Sequence, residues 1–141
     1  MYYFPVTISR NTYPGGQWAI TSTAATTIGS ANTSVKLAGT VAYADLQWTS
    51  DGGGNNTLTY TSTQRIEFEA KCVVTITGTN GDQVNVVIRQ WDDSASGYID
   101  LSNSGAATLN ASGRAEGIAA FAYGELDEND RVEVWVENLT A

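Results

Sequence analysis

Two carboxylates two residues apart are the first candidates for chemistry in this sequence. On a β-strand, Glu67 and Glu69 would point to one face at a separation of ~7 Å. Glycosidases use two carboxyl groups at comparable separations as acid and base. Arg65 and Lys71 flank the pair at the same spacing, so the pattern favours a solvated surface charge ladder over a catalytic pair.

Two acidic segments are candidate calcium ligands, because Ca²⁺ binds carboxylate and carbonyl oxygens. One holds Asp92 and Asp93, and the other holds Asp127, Glu128 and Asp130. Neither has the spacing of a known calcium loop, and short acidic turns are ordinarily solvated. We therefore expect no bound metal and no cofactor.

The chain lacks histidine, the usual base for nucleophilic catalysis by a hydroxyl or thiol group. Serine and threonine are abundant, but a hydroxyl nucleophile needs an adjacent base, and the sequence contains no histidine. The one cysteine, Cys72, stands in an alternating apolar segment, where a thiol acts as a small core side chain. These observations predict a protein without enzymatic activity.

Composition limits the classes of partner. The 141 residues include 15 acidic and 7 basic side chains, a formal net charge of -8. Such a chain repels the phosphate backbone of nucleic acids. No segment approaches the ~20 apolar residues of a membrane-spanning helix, and the first residues lack the basic and apolar regions of a secretory signal. We expect a protein made in a cytoplasm, with neither nucleic acid nor membrane as its partner.

A regular alternation predicts one long β-strand over residues 65–77. Its apolar positions are Ile66, Phe68, Ala70, Cys72, Val74 and Ile76, and the residues between them are mostly polar, as in a half-buried strand. An Asn80-Gly81 hairpin signal follows, and then a strand over 84–91 that is apolar on both faces. Further short strands reach the C-terminus, so we predict an all-β chain, with a β-sandwich or jelly roll over residues 35–141.

Residues 1–34 lack a sustained period. Their large side chains are Tyr2, Tyr3, Phe4, Tyr13 and Trp18, and both prolines of the chain lie in this segment. Two interpretations stay open: an irregular N-terminal arm or edge segment, or a frayed end followed by a first strand. The first interpretation makes these five aromatic side chains candidates for contact with a partner.

The C-terminal strand has a recognisable order of features. Leu126 precedes an acidic turn over 127–130, and valines then alternate with charged residues and Trp135. Together with the strands over 65–77 and 84–91, this order resembles the C1q/TNF-like jelly roll, in the form found in phage and viral structural proteins. The resemblance covers residues 58–141.

The resemblance implies a homotrimer that binds partners and carries no catalytic residues. In a trimer, some outward side chains are buried between subunits. We expect these to be Val87, Trp91, Phe121, Tyr123 and Trp135. The same residues could instead belong to the core against the second sheet, because alternation alone does not distinguish the two faces of a strand.

The resemblance also implies a structural protein of a virus or phage particle. The expected function is a trimeric decoration, or cement, protein on the capsid exterior, which clamps adjacent subunits of the major capsid protein and stabilises the shell. In this interpretation the five aromatic residues of the N-terminal arm contact the capsid subunits. The alternative is a tail-fibre or receptor-binding head that recognises a host-surface glycan. The sequence leaves open which virus and host are involved.

Overall fold

The computed structural model describes residues 6–10, 13–19, 27–37, 40–44, 47–50, 57–111 and 114–140. Within these ranges the chain forms no helix, so none is present that is long and apolar enough to cross a membrane. The described strands, in chain order, are β1 (Val6–Arg10), β2 (Tyr13–Ala19), β3 (Thr33–Lys36), β4 (Thr40–Ala44), β5 (Trp48–Ser50), β6 (Leu58–Tyr60), β7 (Ile66–Thr77), β8 (Gln83–Asp92), β9 (Gly97–Thr108), β10 (Arg114–Leu126) and β11 (Arg131–Asn138).

The strands form two antiparallel sheets, which confirms the all-β prediction. Sheet A has the order β10-β7-β1-β2-β4, and sheet B has the order β5-β6-β11-β8-β9. In sheet B, β3 pairs with the second half of β11, and β6 pairs with its first residues. From β7 onward the chain crosses between the sheets at the β7–β8, β9–β10 and β10–β11 connections.

The Asn80-Gly81 turn forms where the sequence predicts it, but the strands on either side do not pair. Gly81 has φ +89°, a conformation that glycine adopts without steric cost, and the Asp82 N–H donates to the Thr79 carbonyl oxygen at 3.2 Å. However, β7 belongs to sheet A and β8 to sheet B. Because β7 pairs with β1 and β10, and β8 pairs with β9 and β11, the connection spans the sandwich instead of closing a hairpin.

The core lies between the two sheets. Along β7, burial alternates as the sequence predicts, with Phe68, Ala70, Cys72, Val74 and Ile76 buried. Alternate residues of β8, β10 and β11 join the same apolar cluster from the other strands. At one end Tyr60 is fully buried and its hydroxyl donates to the Gln64 carbonyl oxygen at 2.6 Å. A single apolar core therefore joins sheets A and B into a β-sandwich.

The middle of strand β10, over residues 120–124, carries small residues inside and aromatic residues outside. Ala120 and Ala122 are fully buried, whereas Phe121 and Tyr123 are 44% and 65% exposed. Gly124 continues the inward row, and a Cβ added there would lie 2.8 Å from the Phe68 ring. Over residues 120–124 the space inside β10 is thus filled by side chains of neighbouring strands, and the aromatic side chains point to the outer face of sheet A. Ile118 and Leu126, on either side of this stretch, are buried in the core.

Part of the segment predicted as an N-terminal arm or edge segment is paired in sheet A. β1 lies between β7 and β2, with Ile8 opposite Ala70 and Thr7 opposite Lys71. These two strands extend the sheet on the side of β7 away from β10.

Candidate functional site

Three aromatic rings form a contiguous group on the outer face of sheet B, and we call Trp91, Tyr98 and Trp135 the aromatic cluster. The ring centroid of Tyr98 lies 5.0 Å from that of Trp91 and 5.3 Å from that of Trp135, both in edge-to-face geometry. Such contacts between rings add stabilisation beyond area burial. Tyr98 is nevertheless 47% exposed, so the centre of the cluster faces solvent.

Strand register explains why these side chains share one face. Trp91 of β8 stands opposite Tyr98 of β9 on one side and opposite Arg131 of β11 on the other. Trp135 follows Arg131 by four residues along β11, so it points to the same face. The inward positions of β11 are Val132, Val134 and Val136, which are all buried in the core.

Two arginines stack on the tryptophan rings of the cluster. The Arg89 guanidinium carbon lies 4.8 Å from the Trp135 ring centroid, and that of Arg131 lies 4.8 Å from the Trp91 ring centroid. Arg89 also donates to Asp100 Oδ1 at 2.6 Å. Both distances are within the range of cation–π attraction, so a guanidinium group occupies one face of each tryptophan.

A buried carboxylate lies among these groups on the face that a sandwich normally turns to water. The Glu133 side chain is 1% exposed, and Lys36 Nζ lies 3.6 Å from its Oε1. Its Oε2 accepts a hydrogen bond from the Trp135 indole N–H at 3.0 Å, whereas Oε1 has no hydrogen-bond partner among the described residues. Asn85 Oδ1, on the same face, is also buried without a partner among them.

The pKa of the Tyr98 hydroxyl reflects its partly desolvated position beside Glu133. Burial raises the pKa of the Tyr98 hydroxyl, and the negative charge of Glu133 raises it further. Both effects favour the neutral phenol, which donates a hydrogen bond. The cluster therefore presents a neutral tyrosine hydroxyl beside the buried Glu133 side chain.

A second buried carboxylate fixes the loops at one end of the cluster. Asp130 accepts hydrogen bonds at Oδ2 from Gln90 Nε2 (2.8 Å) and the Asp127 N–H (3.0 Å). It accepts another at Oδ1 from the Asp93 N–H (2.9 Å). Because Asp130 joins the β10–β11 turn to the end of β8, it sets the positions of the adjacent Arg131 and the nearby Trp91.

The acidic segments considered as metal ligands have other roles in the described structure. Asp130 is engaged with N–H donors, and Asp92 Oδ1 accepts from the Ser94 hydroxyl (2.7 Å) and the Ala95 N–H (2.9 Å). These hydrogen bonds lower the pKa of the Asp92 carboxyl, that from Ser94 most strongly. Among the described residues, no group of three or more cysteine or carboxylate side chains is arranged to hold a metal ion.

Glu67 and Glu69 lie on the outer face of sheet A, with Lys71 paired to Glu69 and Arg65 paired to Glu125 and Asp127. The Lys71 ammonium donates to Glu69, which raises the pKa of Lys71. This arrangement is the surface charge ladder that the sequence favours.

The structure divides the five residues predicted for a trimer interface between two faces. Val87, Trp91 and Trp135 lie half-buried on the outer face of sheet B, with Val87 opposite Trp135. Phe121 and Tyr123 lie exposed on the outer face of sheet A. The alternative that they form the core is therefore excluded for Phe121 and Tyr123.

The aromatic residues predicted to contact a capsid fall outside the part of the chain described with side chains. Tyr2, Tyr3 and Phe4 precede the described residues, and Tyr13 and Trp18 belong to β2, for which the backbone pairing alone is described.

Three residues of the site were missed by the sequence reasoning: Arg89, Tyr98 and Arg131. The alternation of β11 placed Arg131 and Glu133 on the same face as Trp135, and this signal was sufficient to group them. Nothing in the local sequence placed Tyr98 beside Trp135, because that contact spans two strand pairings.

No protein-family model matches the sequence, and a search of curated proteins finds no match.

Proposed function

We propose that this chain is a non-enzymatic structural protein of a virus or phage particle, and that it acts as a homotrimer with the aromatic cluster at the contact between subunits. The observation that carries the proposal is the composition of the cluster. Tryptophan, tyrosine and arginine dominate the binding energy of protein interfaces, near the centre of the contact and surrounded by polar residues. Here all three residue types meet on one face of sheet B.

Desolvated polar atoms on the same face support an interface. Glu133 Oε1 and Asn85 Oδ1 are already removed from water on the outer side of the sheet. Lys36 Nζ lies 3.6 Å from Glu133 Oε1, but neither Glu133 Oε1 nor Asn85 Oδ1 has a hydrogen-bond partner among the described residues. Because a single chain already removes both atoms from water, covering the cluster with a neighbouring subunit would add little further desolvation cost.

The proposed role in a virus or phage particle is supported by the resemblance to C1q/TNF-like jelly rolls of phage and viral structural proteins. In this proposal the trimer is a capsid decoration protein that bridges subunits of the major capsid protein on the capsid exterior. A ligand that binds only the assembled shell stabilises it by mass action, and three linked contacts bind more tightly than one. The acidic surface of the chain limits non-specific binding to nucleic acid.

The second candidate is a receptor-binding head that recognises a host glycan, and the exposed Tyr98 ring favours it. Aromatic rings can stack on apolar faces of a sugar, but guanidinium groups occupy one face of both tryptophans. The geometry therefore favours a protein contact over a stacked sugar. Titration with an array of host glycans separates the two, because the glycan function requires binding that is lost on Tyr98→Ser.

Light scattering at several protein concentrations tests the proposal. We expect about three chains per particle for the unmodified protein, and dissociation at about tenfold higher concentration for Tyr98→Ser, since loss of an interface anchor costs more than about 1 kcal/mol. Tyr123→Ser is the matched control, because it removes an exposed tyrosine from the opposite sheet. A monomer at all concentrations, or a trimer insensitive to Tyr98→Ser, would contradict the proposal.

A further inference from the structure

The outer face of sheet A carries an exposed apolar patch that the aromatic cluster does not explain. Val73, Phe121 and Tyr123 are 43%, 44% and 65% exposed, and we call them the β7–β10 patch. Register makes the patch contiguous: Val73 stands opposite Ala119, and the two aromatic residues follow on β10 at two-residue spacing. Contiguous apolar groups rimmed by charged residues mark interaction surfaces in soluble proteins.

The charges beside the patch are unbalanced. Glu125 and Glu67 stand directly opposite each other on β10 and β7, next to the pair formed by Tyr123 and Glu69. Like charges in cross-strand register destabilise a sheet. Arg65 lies 3.1 Å from Glu125, and Glu67 forms no ion pair within the described part of the chain. With Glu67, Glu69, Glu125 and Asp127 against Arg65 and Lys71, the described face has an excess of negative charge.

We infer that the β7–β10 patch binds a different protein, whose contact surface presents lysine or arginine side chains around apolar groups. The apolar groups would cover Phe121 and Tyr123, and a cationic group would lie between Glu67 and Glu125. A second copy of this chain fits less well, because it brings its own formal charge of -8. The described cations on its sheet B already have partners: Arg89 and Arg131 are stacked on tryptophans, and Lys36 lies 3.6 Å from Glu133. The inference does not depend on the proposed trimer, since the patch and the cluster lie on opposite sheets.

The probe for the test is a short synthetic peptide that alternates lysine with leucine, added to the full-length protein and followed by two-dimensional NMR. We expect shifts centred on Phe121 and Tyr123, and none with the same peptide carrying glutamate for lysine. Raising the salt concentration should weaken binding, because the charges are exposed and screened.

Two variants separate the apolar and electrostatic contributions. Tyr123→Ser should weaken peptide binding by about tenfold, the factor that corresponds to about 1.4 kcal/mol. Glu67→Gln should weaken binding and reduce its salt dependence, while leaving the denaturation midpoint unchanged or higher, because it removes a like-charge pair. The matched controls are Tyr98→Ser and Glu137→Gln on sheet B.

The peptide titration and light scattering distinguish failure of this inference from failure of the proposed trimer. Peptide shifts that cluster on sheet B, or that persist in both sheet A variants, would overturn the inference. Light scattering that showed loss of self-association in Tyr123→Ser would also overturn it, because the occupant would then be a second copy. A monomeric protein that still binds the peptide at the patch would refute the proposed trimer and leave this inference standing.

Discussion

Replacement of Asp130 is the sharpest test of the structure, because one carboxylate holds two loops beside the aromatic cluster. Its two oxygens accept hydrogen bonds from Gln90 Nε2, the Asp127 N–H and the Asp93 N–H, at 2.8, 3.0 and 2.9 Å. Asp130 is 3% exposed, so Asp130→Ala leaves these donors near a cavity that no longer contains an acceptor. The β10–β11 turn and the end of β8 would then lose their common anchor.

The expected loss of stability follows from the hydrogen bonds. Each hydrogen bond to a charged group contributes about 1.5–3 kcal/mol net, but the three share one acceptor group and Gln90 Nε2 keeps a second acceptor, the Glu125 carbonyl oxygen, at 2.8 Å. We therefore expect Asp130→Ala to lower the free energy of unfolding by about 3–5 kcal/mol, less than the sum of three independent bonds but still large, because the donors left without this acceptor are buried or partly buried.

Urea denaturation at one fixed protein concentration measures this loss. With a slope of about 2 kcal/mol per molar urea, the midpoint should fall by about 2 M. Asp130→Asn should also destabilise, because its NH₂ group must face at least one of the three donors. The control is Glu128→Gln, an exposed carboxyl in the same turn, which should change stability by less than about 0.5 kcal/mol. If Asp130→Ala and the control behaved alike, the network would not hold the loops.

Three further predictions concern individual groups. Burial raises the pKa of the Cys72 thiol to about 11, so iodoacetamide at pH 8 should leave the folded protein unmodified. Fast alkylation without unfolding would contradict this, because it would show that the thiol is accessible. The pKa of the Tyr98 hydroxyl is raised by burial and by Glu133, so an NMR titration should place it above the usual tyrosine value, and Glu133→Gln should lower it. Because the folded-state pKa is the higher one, the stabilisation from Tyr98 is complete below about pH 10 and is lost as the pH rises further; a stability that rose with pH there would contradict this sign. A Cβ at Gly105 would lie 2.2 Å from a β10 carbonyl oxygen, whereas one at Gly97 would lie 3.8 Å from its nearest atom. Gly105→Ala should therefore lower the thermal midpoint by about 10 °C. If Gly97→Ala had an equal effect, the close approach of β9 to β10 would be contradicted.

The interior of the sandwich could be predicted largely from local pattern. The alternation over residues 65–77 identified Phe68 and Val74 as core residues, and the buried positions of β7 agree. The alternation of β11 likewise separates Val134 from Trp135. These predictions succeed because a strand has a side-chain period of two, whatever its neighbours are.

The candidate site could be predicted only in part. Trp91, Trp135, Phe121 and Tyr123 were grouped in one predicted trimer interface. The structure places the two tryptophans on the outer face of sheet B and the other two residues on the outer face of sheet A. The reason is that alternation gives the two faces of one strand without saying to which sheet the strand belongs. That assignment depends on the pairing of β10 with β7 and of β8 with β11, and both pairings join residues far apart in the chain.

The sequence by itself determined that this protein is built from strands, which residues alternate along each of them, and that its surface is acidic. Tertiary structure decided what those residues do. Glu133 is an ordinary outward residue in the sequence, and it is buried only because Lys36, Tyr98 and Trp135 converge on it from three other positions in sheet B. Asp130 is one of several turn carboxylates, and it becomes an anchor only because β8 ends beside it. Burial and hydrogen bonding depend on which distant segments are in contact, and the pairing of strands determines those contacts.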